Sequence, residues 1–299
     1  MESRYHVRSI SLPCRLHSYT LGIDEELSKL KFSEALSASS YRADTIRAGL
    51  FGLGELYENV DDLLRLPLTQ QALVQHQQEK WVGEVLDGSV RLLDLCGTTR
   101  DLLSNMKERV RDLQSDLRRR RGKNSSMESS IGAYISARKK AKKEILKGLE
   151  ALKRMEGKLG SSPLMGLDQN QAVLARLLRE VCSVTISIFK LLLSFVSASG
   201  SKSKSSSGWS VVSKLMMKKV AVTCEEEKAN EVESVDASLR HLFKQNSSKD
   251  VDVERVQIQV AQRRLEALEV GIEGLEGGLE CMFRRLIQTR VSLLNILTP

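Results

Sequence analysis

One helical pattern runs through the last stretch of this chain, from Val253 almost to Pro299. Val256, Val260, Leu265, Leu268, Ile272, Leu275, Leu279, Met282, Leu286, Leu293 and Leu297 recur mostly at three- and four-residue spacings. That is the period of a helix with a single buried stripe. A helix of this length cannot cover its own stripe and needs other long helices to pack on it. The pattern therefore constrains the fold to an all-α, elongated helical bundle.

Partner helices are legible upstream. Ile46, Leu50, Leu53, Leu56, Val60 and Leu63 make a stripe over 41–64. Gly49, Gly52 and Gly54 within it mark either a close helix contact or a local break. Pro67 ends that run. A second helical region opens at Thr69 as N-cap and extends to about 118, with Gly97-Thr98-Thr99 as its dividing point. A third helix covers 129–155, a break follows at 157–166, and a fourth helix covers 168–197. A short apolar-basic helix is expected over 209–220, around Trp209, Val212, Leu215, Met216 and Val220, and another over 231–245. Aromatics make up only 4% of the chain, so the core is aliphatic and favours helices over a sandwich or barrel. Residues 1–40 are mixed and Ser-rich and read as a flexible N-terminal arm. Residues 41–299 read as one helical domain with a Ser-rich loop at 197–208.

Charge is concentrated. The chain carries a net +8, yet residues 107–158 alone hold 17 Lys or Arg against 7 Asp or Glu. Arg118 to Arg121 complement a helix C-terminus, with Gly122 as the residue that stops it. Arg138, Lys139, Lys140, Lys142 and Lys143 surround the third helix. Such a surface is either plainly solvated or meets phosphate, lipid headgroups or an acidic protein. Nucleic acid is the least favoured of these, because no recognition module or aromatic interleaving accompanies the cations. In the arm, Arg8 three residues before Ser11 fits a basophilic kinase site, and phosphate on Ser9 or Ser11 could bind the basic region.

Between Val181 and Ser199 the only charge is Lys190. The run approaches the length of a membrane span, but a central lysine is costly there. An all-helical domain also needs a central helix of this composition. Buried helix, membrane span and peripheral membrane contact all remain open from the sequence, with the buried helix favoured.

No chemistry of catalysis stands out. Glu84 with Asp87, and Glu58 with Asp61 and Asp62, are acid groupings of the kind common on helices. Glu225 to Glu227 lack a spaced set of oxygen ligands. Five cysteines at 14, 96, 182, 224 and 281 contain no CxxC pair, and this usage suits a reducing compartment. Cys96, Cys182 and Cys281 sit in apolar contexts, Cys14 reads as the exposed thiol, and His76 reads as a surface residue. No nucleotide-binding glycine loop is present. The sequence assigns no catalytic, cofactor-binding or metal residue.

Several segments carry a specific resemblance. They are HVRSISLP at 6–13, LPLTQQAL at 66–73, EKWVGEVLDGSVRLLDLC at 79–96 and DLQSDLRRRRG at 112–122, then SARKKAKKEI at 136–145, WSVVSKLM at 209–216 and GLECMFRRLIQTRVSLLNIL at 278–297. In these the chain resembles a land-plant family of domain proteins related to the root-to-shoot signalling regulator called BYPASS. The resemblance implies a plant-specific helical domain without established enzymatic activity, set in root and shoot development. It also implies membrane association for some relatives. The sequence reading is a noncatalytic regulatory or protein-interaction protein with an unidentified protein partner, cytoplasmic rather than nuclear. Its alternative is a membrane adaptor using 181–199 and the basic helices. An anionic membrane surface is a candidate partner, and the oligomeric state is left open.

Overall fold

In a computed structural model, residues 13–37, 42–119, 124–159, 169–197, 230–245 and 251–298 are described. They form helices α1 (Pro13–Ser37), α2 (Ala43–Leu64), α3 (Pro67–Gln75), α4 (Lys80–Arg119), α5 (Asn124–Leu159), α6 (Gln169–Ser197), α7 (Glu231–Gln245) and α8 (Val251–Leu297). No strand occurs among the described residues. The 47 residues of α8 reach about 70 Å at the helical rise, so the bundle is elongated.

Four helices build the core. α8 packs along α2 and α4, and both of these also touch α6. The remaining helices cover seams: α1 lies against α2 and α6, α5 against α4 and α6, and α7 against α8. Leu50, Leu53 and Leu56 of α2, Leu103 and Val110 of α4, Phe189, Leu192 and Phe195 of α6, and Leu265 to Met282 of the α8 stripe meet in one hydrophobic cluster. Such burial is the main favourable term in holding the helices together.

The α2–α8 seam is tight because glycines line it. A methyl at Gly271 would stand 2.8 Å from Ala43 Cβ, and one at Gly278 would stand 3.0 Å from Leu50 Cβ. The α2 glycines mark contact, not a break. α2 is continuous through them, and Gly52 faces Leu30 of α1 while Gly54 faces Cys281 of α8.

Several boundaries differ from the sequence reading. The arm expected over 1–40 is a packed helix for much of its length. α1 buries Ile23, Leu27 and Leu30, whose four- and three-residue spacing is helical. Thr69 is not an N-cap. Leu66 caps α3, Pro67 takes the first helical position, and Thr69 is buried within the helix. The division expected at Gly97-Thr98-Thr99 is absent, because the Thr98 and Thr99 hydroxyls donate to the carbonyls of Asp94 and Leu95 inside a continuous α4. The chain breaks instead at residues 76–79, between α3 and α4. α5 is longer than the expected 129–155 and continues through Gly157. In α8, Val256 and Val260 are exposed, and Ile258 and Ala261 take their places in the buried stripe.

Ser9, Ser11, the Arg120-Arg121-Gly122 step, the expected helix at 209–220 and Glu225 to Glu227 lie outside the described residues, as does the Ser-rich loop beyond Ser197. The interval from 198 to 229 starts and finishes at one place on the bundle, where the Asn230 side-chain amide donates to the Phe195 carbonyl at 3.5 Å.

Candidate interaction surface

The apolar segment flagged in the sequence is the core of α6. Val184, Ile186, Phe189, Leu192, Leu193, Phe195 and Val196 are buried. Lys190 escapes burial at the bundle edge and donates to Glu156 of α5 at 2.6 Å. By length and composition α6 is the one described helix able to cross a membrane, over Gln171–Ser197. In the bundle, α1, α2, α4 and α5 all pack on it.

The candidate acid groups are structural. Asp61 is buried, with Oδ1 accepting from the Thr289 hydroxyl at 2.6 Å. Burial pushes its carboxyl above the usual range, against the Thr289 hydrogen bond and the nearby Arg65 and Arg285. Asp62 pairs with Arg65, and Glu58 with Arg285. Glu84 pairs with Arg179 across the α4–α6 seam. Glu84 and Asp87 do line an open cleft of about 540 Å³ that also reaches Cys182. Burial pushes the Cys182 thiol up to about 12, which leaves it protonated and a poor nucleophile near neutrality. Cys96 is likewise pushed up to about 12 by burial, and its thiol donates to the Leu279 carbonyl at 3.5 Å. His76 is partly exposed in the turn after α3, with Nε2 accepting from the Gln171 side-chain amide at 2.6 Å. Among the described residues no three His, Cys, Asp or Glu side chains are grouped to hold a metal ion.

What the structure does to the basic region is more informative. Most of its α4 half is neutralised from within, Arg119 alone of the described cations reaching only a hydroxyl, that of Ser115. Arg100 donates to Glu280 at 3.0 Å, and Lys107 pairs with Glu276. Arg111 forks between Glu269 at 2.5 Å and Glu273 at 2.8 Å, and Arg118 meets Glu266 at 3.4 Å. The pairs climb α4 as they descend α8, an antiparallel ladder between two helices. The Arg111 hydrogen bond, helped by Gln114, holds the Glu269 carboxyl below its ordinary value despite partial burial.

The α5 half is divided between inside and outside. Arg138 turns inward, donating to the Val196 carbonyl of α6 and lying 3.5 Å from Asp236 of α7. Tyr134, one turn before it, is buried and donates to the same Asp236 at 3.0 Å. Lys139, Lys140, Lys142, Lys143 and Lys153 stand exposed on the opposite face. Toward the C-terminal end, Lys147 and Arg154 pair within their own helix with Glu144 and Glu150. Lys139, Lys140, Lys143 and Lys153 have no ion pair among the described residues. The sequence marked the whole region 107–158 as basic but did not show that Lys107, Arg111 and Arg118 are closed by α8 while these α5 lysines remain open.

These features define an all-α bundle whose acids, thiols and imidazole serve packing, and whose distinctive surface is one open cationic helix face. The chain belongs to the BPS1 family: residues 49–296 match the model of the family described as Protein BPS1. That match runs from within α2 into the last turn of α8 and places the protein with noncatalytic plant regulatory proteins. No curated protein and no solved structure matches the chain.

Proposed function

We propose that this protein acts by recruitment in plant root and shoot development, from the cytoplasm, and that the outer face of α5 is its recruiting surface. The observation that carries the reading is the unequal treatment of the cations. Arg100, Lys107, Arg111 and Arg118 of α4 are closed by α8 glutamates, while Lys139, Lys140, Lys143 and Lys153 of α5 are left without a carboxylate among the described residues. Unpaired surface lysines on a single helix face raise the local potential and steer negatively charged partners. Proximity labelling with the intact protein in plant cells tests this, comparing the natural chain with a K139E/K140E/K143E/K153E variant. The variant is expected to lose the labelled neighbours of the natural chain. An unchanged set would remove α5 from the reading.

A second reading, an integral membrane adaptor, is favoured by one observation, the length and apolarity of α6. It would require α6 to leave α1, α2, α4 and α5 and to take Lys190 into lipid, where charge is expensive. Alkaline carbonate extraction separates the two: full release from the membrane pellet excludes a spanning α6.

A further inference from the structure

The exposed line of α5 is not purely polar. Ile135, Lys139, Lys142, Leu146 and Lys153 follow one another at helical spacings along one side of the helix. Leu146 is 56% exposed and Ile135 38% exposed, so the charged side also offers apolar surface. Lys143 flanks this line, and Lys140 lies farther round the same exposed half. α5 runs for 36 residues, about 54 Å. It packs mainly on α4 and α6 and lies at the edge of the bundle.

We propose that this face docks the protein on the surface of an anionic lipid bilayer. Lys139, Lys140, Lys143 and Lys153 would lie among the headgroups, and Leu146 and Ile135 in the interfacial layer. The proposal rests on the reading of α5 as the recruiting surface and names its ligand. Three observations select a bilayer. The open cations are lysines, compact charges on long flexible stems, suited to a diffuse negative field more than to the two-point grip that arginine gives a single carboxylate or phosphate. Leu146 and Ile135 interrupt the charges with apolar side chains, the composition of helices that lie in the membrane interface. The outer face of α5 is open to solvent, apart from Lys140, which borders a cleft of about 370 Å³ against α4. No aromatic side chain stands among the exposed residues of that face, so base stacking has no platform.

The test is co-sedimentation of the full chain with vesicles of equimolar phosphatidylcholine and phosphatidylserine, and with phosphatidylcholine alone. The natural chain is expected to bind the anionic vesicles only, and to be released by salt. A lysine near such a surface contributes roughly fivefold in partitioning. K139Q/K140Q/K143Q/K153Q should therefore reduce binding by roughly a few hundredfold. L146S should weaken it several-fold with the charges intact. All five positions are exposed, and unchanged thermal unfolding confirms that each variant is folded. Equal binding by the glutamine variant overturns the proposal, as does binding to phosphatidylcholine alone. If the natural chain ignores both vesicles while the charge-reversed variant still loses its labelled neighbours in cells, the ligand of α5 is an acidic protein. That outcome sinks the bilayer and leaves the recruiting role standing. If the vesicles are ignored and the labelled set is also unchanged, both readings fall.

Discussion

Gly271 and Gly277 lie within two turns of one another on α8 and should respond oppositely to the same substitution. A Cβ at Gly271 meets Ala43 Cβ at 2.8 Å, and neither side chain has a flexible end that could swing away. Relief requires α2 and α8 to separate, and forcing added volume into a packed seam costs about 1–3 kcal/mol. Gly277 is exposed and a Cβ there meets nothing within 4 Å. Gly277→Ala should gain up to about 1 kcal/mol from helix propensity alone. Denaturant unfolding of the two variants therefore should bracket the natural chain, Gly271→Ala below it and Gly277→Ala above it. The same result from both would mean that α2 and α8 are not in the contact described.

The helices follow from period and breakers wherever a stripe is clean. α2, α6, α7 and most of α8 have bounds close to those read from the sequence. The misplaced features have local causes. Tyr19 and Leu21 are exposed, so they blur the Ile23–Leu27–Leu30 stripe and make α1 read as an arm. Thr98 and Thr99 look like a break but satisfy their hydroxyls on their own helix. The α4–α8 ladder escaped notice because its partners are far apart in the chain, although the signal was present. Lys107, Arg111 and Arg118 on α4, and Glu266, Glu269, Glu273, Glu276 and Glu280 on α8, each repeat at helical spacing, and an antiparallel pairing sets the two rows against each other. Which cations of the basic region stay open depends on that pairing and could not be read from composition. The ladder should be modest in energy. Lys107 and Glu276 are each about one-fifth exposed, and a double-mutant cycle to alanine should give a coupling of about 0.5–1 kcal/mol that shrinks with added salt. Its acid dependence has a definite sign. The Glu269 carboxyl lies below its ordinary value, so its contribution is present above the unfolded pKa and is lost as pH falls through the folded one. A coupling near zero at low salt would reduce the ladder to a solvated coincidence.

For the whole molecule, the family match and the packing do not share a boundary. The match begins at residue 49, while α1 lies entirely before it and still covers α2 and α6. The α4–α8 and α4–α6 seams and most of the α2–α8 seam belong to the matched region, and together they form a core without α1; the first turn of α2, where Ala43 meets Gly271, lies before it. α1 is then an added layer, attached chiefly through Ile23, Leu27 and Leu30, with outer ties from Lys31 to Glu180 and from Arg176 to Asp24. The attachment of α1 therefore rests on few side chains, each well buried. Placing charge at two of the three positions, as Ile23→Asp with Leu27→Asp, should undo it, since an unpaired carboxylate cannot remain in that seam. Hydrogen exchange is expected to become fast throughout 13–37 while protection in α2, α4, α6 and α8 persists. If protection collapses in the core helices as well, α1 is an integral part of the cooperative unit and the fold does not close within 49–296.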